Sequence, residues 1–567
     1  MIRYLRSGEG LTLAVLIVIA LWLFVFPLGL LARVGLTDDG AFSLGPVLDA
    51  LDSRSVPRAL WASLESSALS ALISLIAGTA AALMIGLTDV RGKAVITFLL
   101  LIPMMIPPHV TAIAWVQAMG PSSPILKTLG IAPEIGSTHP LYSREGVIFL
   151  LGIQHMPMVF LVVLAALRSL PRELSDAARI AGAGSARLLR RIILPLLAPT
   201  LIASFALAFV SALGNFGIPA LLGIPARYIT LPVLIWRRLA SFGPQVLTDV
   251  AVIAAILAGV AIVIVALQMT LMQRARNRLI GPPQPPLDLR LGSARPWVEG
   301  GLILVIVLTL VLPVTALFAT ALVTTYGLPL TAETLTFDNF AEVLFRQSVT
   351  IRAFLNSGLV AGFAALTIAG IGVFLARYIA APTPGPRRIG TGLATLAEMT
   401  YAIPGLVISI AFILAFIRPL PLIGVSIYGT LGIIYLAYIC AFFSIALKPI
   451  SASYMQLDPA LDEAARVAGA GFGFRMRKAF APLIAPAAAS GAILVFLTAY
   501  NEVTVSALLW STGNETIGTT IFNYEDGGYT TLAAAMSAVT VLATIALMAA
   551  LDRFGRHAPR GVVPWRF

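Results

Sequence analysis

Two sets of residues in this 567-residue sequence have types and spacings that could do work: carboxylates inside apolar runs, and a polar twelve-residue stretch that occurs twice. Glu398 lies ten residues past Arg388, just before Pro404, and Glu502 follows Asn501 in another apolar run. A carboxylate in a membrane span costs roughly 2.5–3.5 kcal/mol on insertion scales, so it faces a bundle interior or a water-filled path. Tyr401 and Tyr500 lie close by, and Asn215 sits near the corresponding point of an earlier run, where Gly214 aligns with Asn501. Glu398, Tyr401, Asn215, Tyr500, Asn501 and Glu502 are therefore the candidates for lining a translocation path. The competing assignment is interhelical hydrogen bonding, or burial of each acid in its neutral form.

Catalytic chemistry has little to stand on. A nucleotide-phosphate loop needs Gly-x4-Gly-Lys-Ser/Thr. The nearest approach, Gly86 to Ala94, has five intervening residues and no hydroxyl after Lys93. His109, His139, His155 and His557 form no i, i+4 pair, and the single Cys440 excludes a disulfide framework or a cysteine-based metal site. Met104, Met105, His109, Met156 and Met158 could suggest metal handling, but methionine in an apolar helix usually fills gaps. No metal site is read, and the chain is not expected to be an enzyme.

The repeated stretch runs from Glu173 to Gly184 and again from Ala460 to Gly471, a shift of 287 residues. From Pro171 to Pro199, 13 of 29 positions are identical between the copies. Such similarity at half a chain length marks a duplicated unit. Leu174, Ala177, Ala178 and Ala181 fall on one small apolar helix face, and Leu461, Ala464, Ala465 and Ala468 repeat it. Asp458-Pro459 supplies a cap and first-turn proline for the second copy. Gly182 and Gly469 end each helix. A basic segment follows each copy: Arg187, Arg190 and Arg191, then Arg475, Arg477 and Lys478.

This pattern resembles the EAA loop of membrane subunits in ABC importers: Glu-Ala-Ala, three residues, then Gly. Glu463, Ala464, Ala465 and Gly469 fit it; Asp176, Ala177, Ala178 and Gly182 depart from it only in the acid. The resemblance implies that each loop forms a coupling helix seated on a cytoplasmic ATPase subunit. It implies two such ATPase subunits and one periplasmic solute-binding protein as partners. ATP and Mg would bind those ATPases, and this chain would hold no cofactor.

Composition independently requires a membrane. Hydrophobic residues make up 59% and charged ones 11%, against roughly 45–50% and 25% in soluble domains, and the mean hydropathy is +0.94. The net charge of +12 collects at the ends of apolar runs, as the positive-inside pattern requires, and not in a nucleic-acid stripe. The expected fold is an all-α polytopic membrane protein of about twelve spans in two homologous six-helix halves. Residues 1–272 form the first half with its loop at 171–199, 273–296 a proline-rich linker, and 297–567 the second half with its loop at 458–486. Span 3 is placed at about Val95 to Met119, span 5 at Thr200 to Leu222, span 9 at Leu393 to Ile417, span 10 at Tyr428 to Leu447 and span 11 at Ala487 to Leu509. Counting from a cytoplasmic N-terminus puts both loops, the linker and the C-terminus inside a bacterial inner membrane.

Gly214 to Pro225 and Tyr401-Ala402-Ile403-Pro404-Gly405 are similar to segments of ferric-iron importer permeases. That resemblance implies ferric iron as cargo, with thiamine, 2-aminoethylphosphonate or another small solute as alternatives. A secondary transporter could also have twelve spans and a buried acid, but it needs no paired loops.

Overall fold

A computed structural model describes residues 8–38, 41–134, 136–168, 170, 172–241, 243, 245–274, 289–419, 424–555 and 562. The linker prolines Pro282, Pro283, Pro285 and Pro286, His557, and the terminal arginines Arg3, Arg6, Arg556 and Arg560 lie outside them.

Among the described residues, ten helices are long and apolar enough to cross a membrane, and two further pairs pass together although sharply bent. In chain order the elements are α1 (Gly8–Gly35), α2 (Ser55–Leu87), α3 (Lys93–Met105), α4 (Pro108–Met119), α5 (Arg144–Arg168), α6 (Arg172–Ile180), α7 (Ser185–Leu213), α8 (Leu231–Leu239) and α9 (Val246–Met272). The second half follows as α10 (Gly292–Ala321), α11 (Ser348–Ile379), α12 (Pro384–Tyr401), α13 (Gly405–Phe416), α14 (Leu431–Met455), α15 (Ala460–Val467), α16 (Phe472–Tyr500), α17 (Ile517–Asp526) and α18 (Thr530–Phe554).

The duplication is visible in these boundaries. Adding 287 to the ends of α5 and α7 gives those of α14 and α16, whereas α4 maps onto α13 with 297. The ten-residue change lies in the intervening loop, which is longer in the first half. That loop contacts the second half: Leu330 N–H donates to Thr128 Oγ1 (2.8 Å), and the Lys127 ammonium donates to the Gly327 carbonyl.

Spans 3 and 9 are not the continuous helices expected. α3 and α4 meet at 101°, α12 and α13 at 109°. Ile106 is extended (φ −82°, ψ 126°), and Pro107 (ψ 144°) and Pro404 (ψ 140°) leave the helical region. A proline lacks the N–H that would continue the ladder and pushes the residue before it out of the α region. Spans 5 and 11 are also displaced. They begin at Ser185 and Phe472 and stop at Leu213 and Tyr500, so the basic segments lie inside helices. A wider i→i+5 turn precedes each proline (Leu189–Ile193 before Pro195, Met476–Phe480 before Pro482), absorbing the missing donor without ending the helix.

Close packing rests on small residues. A Cβ on Gly78 of α2 would come within 2.8 Å of the Met156 carbonyl on α5, and Ser74 Oγ donates to the Gly152 carbonyl (2.8 Å). In the second half Gly491 of α16 abuts Ala446 of α14 at 2.9 Å in the same sense. Small faces let helix backbones approach where lipid supplies no hydrophobic drive. The first span of each half crosses to the other half. α1 sets Trp22 and Phe26 on Phe416 and Phe24 on Phe443, while α10 packs on α4. Where the linker re-enters, Leu289 N–H donates to the Leu87 carbonyl (2.6 Å). The Leu291 N–H donated to Asp89, with Arg295 beside it, holds that carboxyl below the usual carboxylate range.

Candidate functional site

The two repeated loops share one face of the molecule, at the end of α5 and start of α7 in one half and of α14 and α16 in the other. Asp458 Oδ1 accepts the Ala460 N–H (2.9 Å), starting α15 as expected. Both helices end the same way. Gly182 N–H donates to the Arg179 carbonyl and Ala183 N–H to that of Ala178; Gly469 and Ala470 repeat this onto Arg466 and Ala465, all at 2.9–3.0 Å. That closure needs a left-handed residue after the helix, and Gly182 (φ 79°) and Gly469 (φ 78°) supply it. Ala177, Ala464 and Glu463 are exposed, Asp176 and Ala465 half-buried, and Ala178 buried. Beside them Ile180 is 89% and Val467 90% exposed. The two loops thus bare an apolar side chain at the same position, Val467 lying 287 residues after Ile180.

The second loop has an anchor that sequence reasoning missed. Asp462 Oδ1 accepts from Arg475 (2.8 Å) and Oδ2 from Arg377 (3.0 Å) and Arg466 (3.1 Å). Glu9, at the start of α1, meets the same Arg475 (2.6 Å), Arg466 (3.2 Å) and Arg377 (3.5 Å). Arg377, Asp462 and Arg475 are buried. Arg475, one of a basic run in the sequence, is an internal tie in the fold, and Ser175 and Leu188 stand at the positions of the first half that match Asp462 and Arg475.

Toward the opposite face, four interruptions of helix converge. Gly217 fits against His109, where a Cβ would lie 2.9 Å from its backbone; Gly405 fits against Val505 (2.9 Å) and Gly214 against Pro404 (3.3 Å). Asn215 Oδ1 accepts the Ile218 N–H (3.1 Å), and 287 residues later Glu502 accepts the N–H groups of Val505 (2.5 Å) and Ser506 (3.1 Å). The two residues are equivalents that cap the chain after its break. Glu502 therefore sits in the break, not in a helix as expected. Asn501 Nδ2 donates to Thr544 Oγ1 (3.1 Å), and Tyr500 stacks on Phe496. Just beyond, Phe216, Trp236 and Phe522 meet with ring centroids 5.2–5.8 Å apart and close the seam between the halves.

Glu398 and Tyr401 belong to a different surface. Arg388, Thr391, Thr395, Glu398 and Tyr401 are all exposed, at helical spacing along α12, from the repeat-loop end up to the Pro404 break. Lys448 joins this stripe from α14, its Nζ 5.7 Å from the centre of the Tyr401 ring. The expected end of span 10 at Leu447 places Lys448 beyond the helix; α14 instead continues two turns further, to Met455. A lysine inside an apolar helical run was the available signal. Asn215, Asn501 and Glu502 thus lie at the converging breaks, while Glu398 and Tyr401 stand apart from them on the exposed stripe of α12. Among the described residues no group of three or more His, Cys, Asp or Glu could hold a metal ion.

The family model of the binding-protein-dependent transport system inner membrane component matches twice, at residues 74–279 and 368–563. The chain belongs to this family. It is a fused two-half ABC permease, each half carrying one repeated loop and one pair of breaks. Similar proteins include the probable ABC transporter permease protein y4fN of Sinorhizobium fredii, 26% identical over 82% of this chain and 81% of that one. The ferric transport system permease protein FbpB of Actinobacillus pleuropneumoniae is 24% identical over 97% of this chain and 79% of its own. The molybdenum transport system permease protein ModB of Escherichia coli is 30% identical over 33% of this chain and 82% of its own.

Proposed function

We propose that this permease imports ferric iron handed over by a periplasmic binding protein. Its repeat face would lie in the cytoplasm and two ATPase subunits would dock on α6 and α15. The observation that supports the cargo is shared fused architecture: similarity to ferric transport permeases runs through 89% and 97% of the chain, whereas the molybdenum permeases, matched over 88% and 82% of their own length, cover 45% of it or less. The bare Ile180 and Val467 support the docking, since each supplies an apolar anchor at the centre of a small helical surface. ATP and Mg belong to the ATPases in this reading. Their closure would move both loops together and, through α7 and α16, the breaks at Asn215 and Glu502.

The experiment is uptake of radiolabelled Fe(III) in cells with and without the chain, with thiamine and 2-aminoethylphosphonate in parallel. Loss of iron uptake alone is the expected result. Unchanged iron uptake with loss of either other solute would reassign the cargo and leave the permease standing.

A further inference from the structure

Lys448 is a cation about two turns from the end of α14. It lies 17 residues along that helix from Leu431, about 25 Å at 1.5 Å per residue, toward the repeat-loop end of a span that crosses a hydrocarbon layer of about 30 Å. The residue is exposed, and among the described residues no carboxylate lies within ion-pair distance of its ammonium, which faces the ring of Tyr401. Glu398, one turn away on the same stripe, is exposed and does not reach it. Charged side chains within a span pair with one another, face a water-filled cavity or reach to the interface; these two do not pair, and Lys448 turns to the Tyr401 ring on the exposed stripe of α12. At the matching positions of the first half stand Leu161, Leu101 and Met104, so the charge is confined to one side of the path.

We propose that Lys448, steadied over the Tyr401 ring, is a specificity-determining station that attracts an oxyanion group of the passing cargo. An ammonium offers three donors and a point charge to such a group, and a cation over an aromatic face keeps that charge while its outer side stays open. Glu398 keeps the stripe from being a general anion trap, so the station selects by arrangement of charge. The proposal rests on the transport reading above but not on iron as the cargo.

The single native cysteine, Cys440, is buried at 1% exposure, which allows a local test. In a Cys440→Ser background, Glu398→Cys is installed, which leaves the Tyr401 ring in place, and inside-out membrane vesicles are treated with sulfonatoethyl or trimethylammonioethyl methanethiosulfonate. The anionic reagent should react faster relative to the cationic one when Lys448 is present. The ratio should fall about tenfold in Lys448→Gln, the size expected of a unit charge at this separation in a partly aqueous site, and return in Lys448→Arg. A ratio unchanged by Lys448→Gln overturns the proposal. So does a Glu398→Cys variant inert to both reagents, which would place this face against lipid. Neither result depends on which solute is imported, so failure of the iron assignment is scored separately by the uptake experiment.

Discussion

α3 and α12 are the same helix built twice, and they teach different things. Both run up to a proline break, Pro107 or Pro404, and both turn there by about a right angle. Yet the positions that are Arg388, Thr391, Thr395, Glu398 and Tyr401 in α12 are Arg91, Ala94, Phe98, Leu101 and Met104 in the first half. The backbone device is common to both halves; the polar lining is not. The repeated loops divide likewise. Their glycine closures agree to within 1° in φ, while the buried Asp462–Arg377–Arg475–Glu9 network is built on the second, with Ser175 and Leu188 in place of its Asp462 and Arg475 on the first. The halves share this backbone geometry and differ in the side chains set upon it.

The largest expected effect tests the shared part. Valine at Gly182 or at Gly469 forces a β-branched residue into the left-handed region, a strain of the order of 1–2 kcal/mol, and reopens the helix end. Each variant should insert normally and lose more than tenfold in ATP-driven uptake, to the same extent. A loss confined to one would show that the loops are not equivalent in coupling.

Next comes the network. Asp462→Asn leaves the buried Arg377 and Arg475 with Glu9 alone to share among three arginines, which costs up to about 3–5 kcal/mol and should lower the thermal unfolding midpoint of the purified chain clearly. Arg179→Gln, at an exposed position of the first loop, should shift nothing measurable. An equal shift in both would remove the asymmetry.

A smaller effect is expected on the stripe. Glu398→Gln and Tyr401→Phe should slow uptake by about threefold to tenfold with stability intact, and Leu101→Val and Met104→Leu should leave the rate at the parent value. Parent rates in the first pair would take the stripe out of the mechanism. Smallest of all, Asn215→Ala and Glu502→Gln each weaken one cap on a break, about 1 kcal/mol, visible as faster hydrogen exchange at Ile218 or Val505. Uptake lost in Glu502→Gln without such a change would return that acid to the path itself.

Much of this was legible because it is local. Gly182 and Gly469 act through their own backbone, and the helix ends they make could be read from neighbours in the chain; Pro107 and Pro404 act as locally, but the spans around them were expected to run through unbroken. The capping pair was half visible: Asn215 and Glu502 both stand out, but as helix residues, since nothing in the sequence shows that α7 and α16 begin 15 residues earlier than an apolar-run reading places them. Lys448 was missed for a related reason. The polar residues after Leu447 look like a helix end, and only packing carries α14 on to Met455.

The sequence by itself determined the duplication, the membrane and the two repeated loops, because each depends on composition or on a few adjacent dihedrals. The tertiary structure decided which charges meet. Glu9 and Arg475 are 466 residues apart, and Lys448 reaches Tyr401 only because α12 stops against α14. Contacts of that range depend on how α1 crosses to the other half and how far each helix continues, and those are settled by packing many surfaces at once.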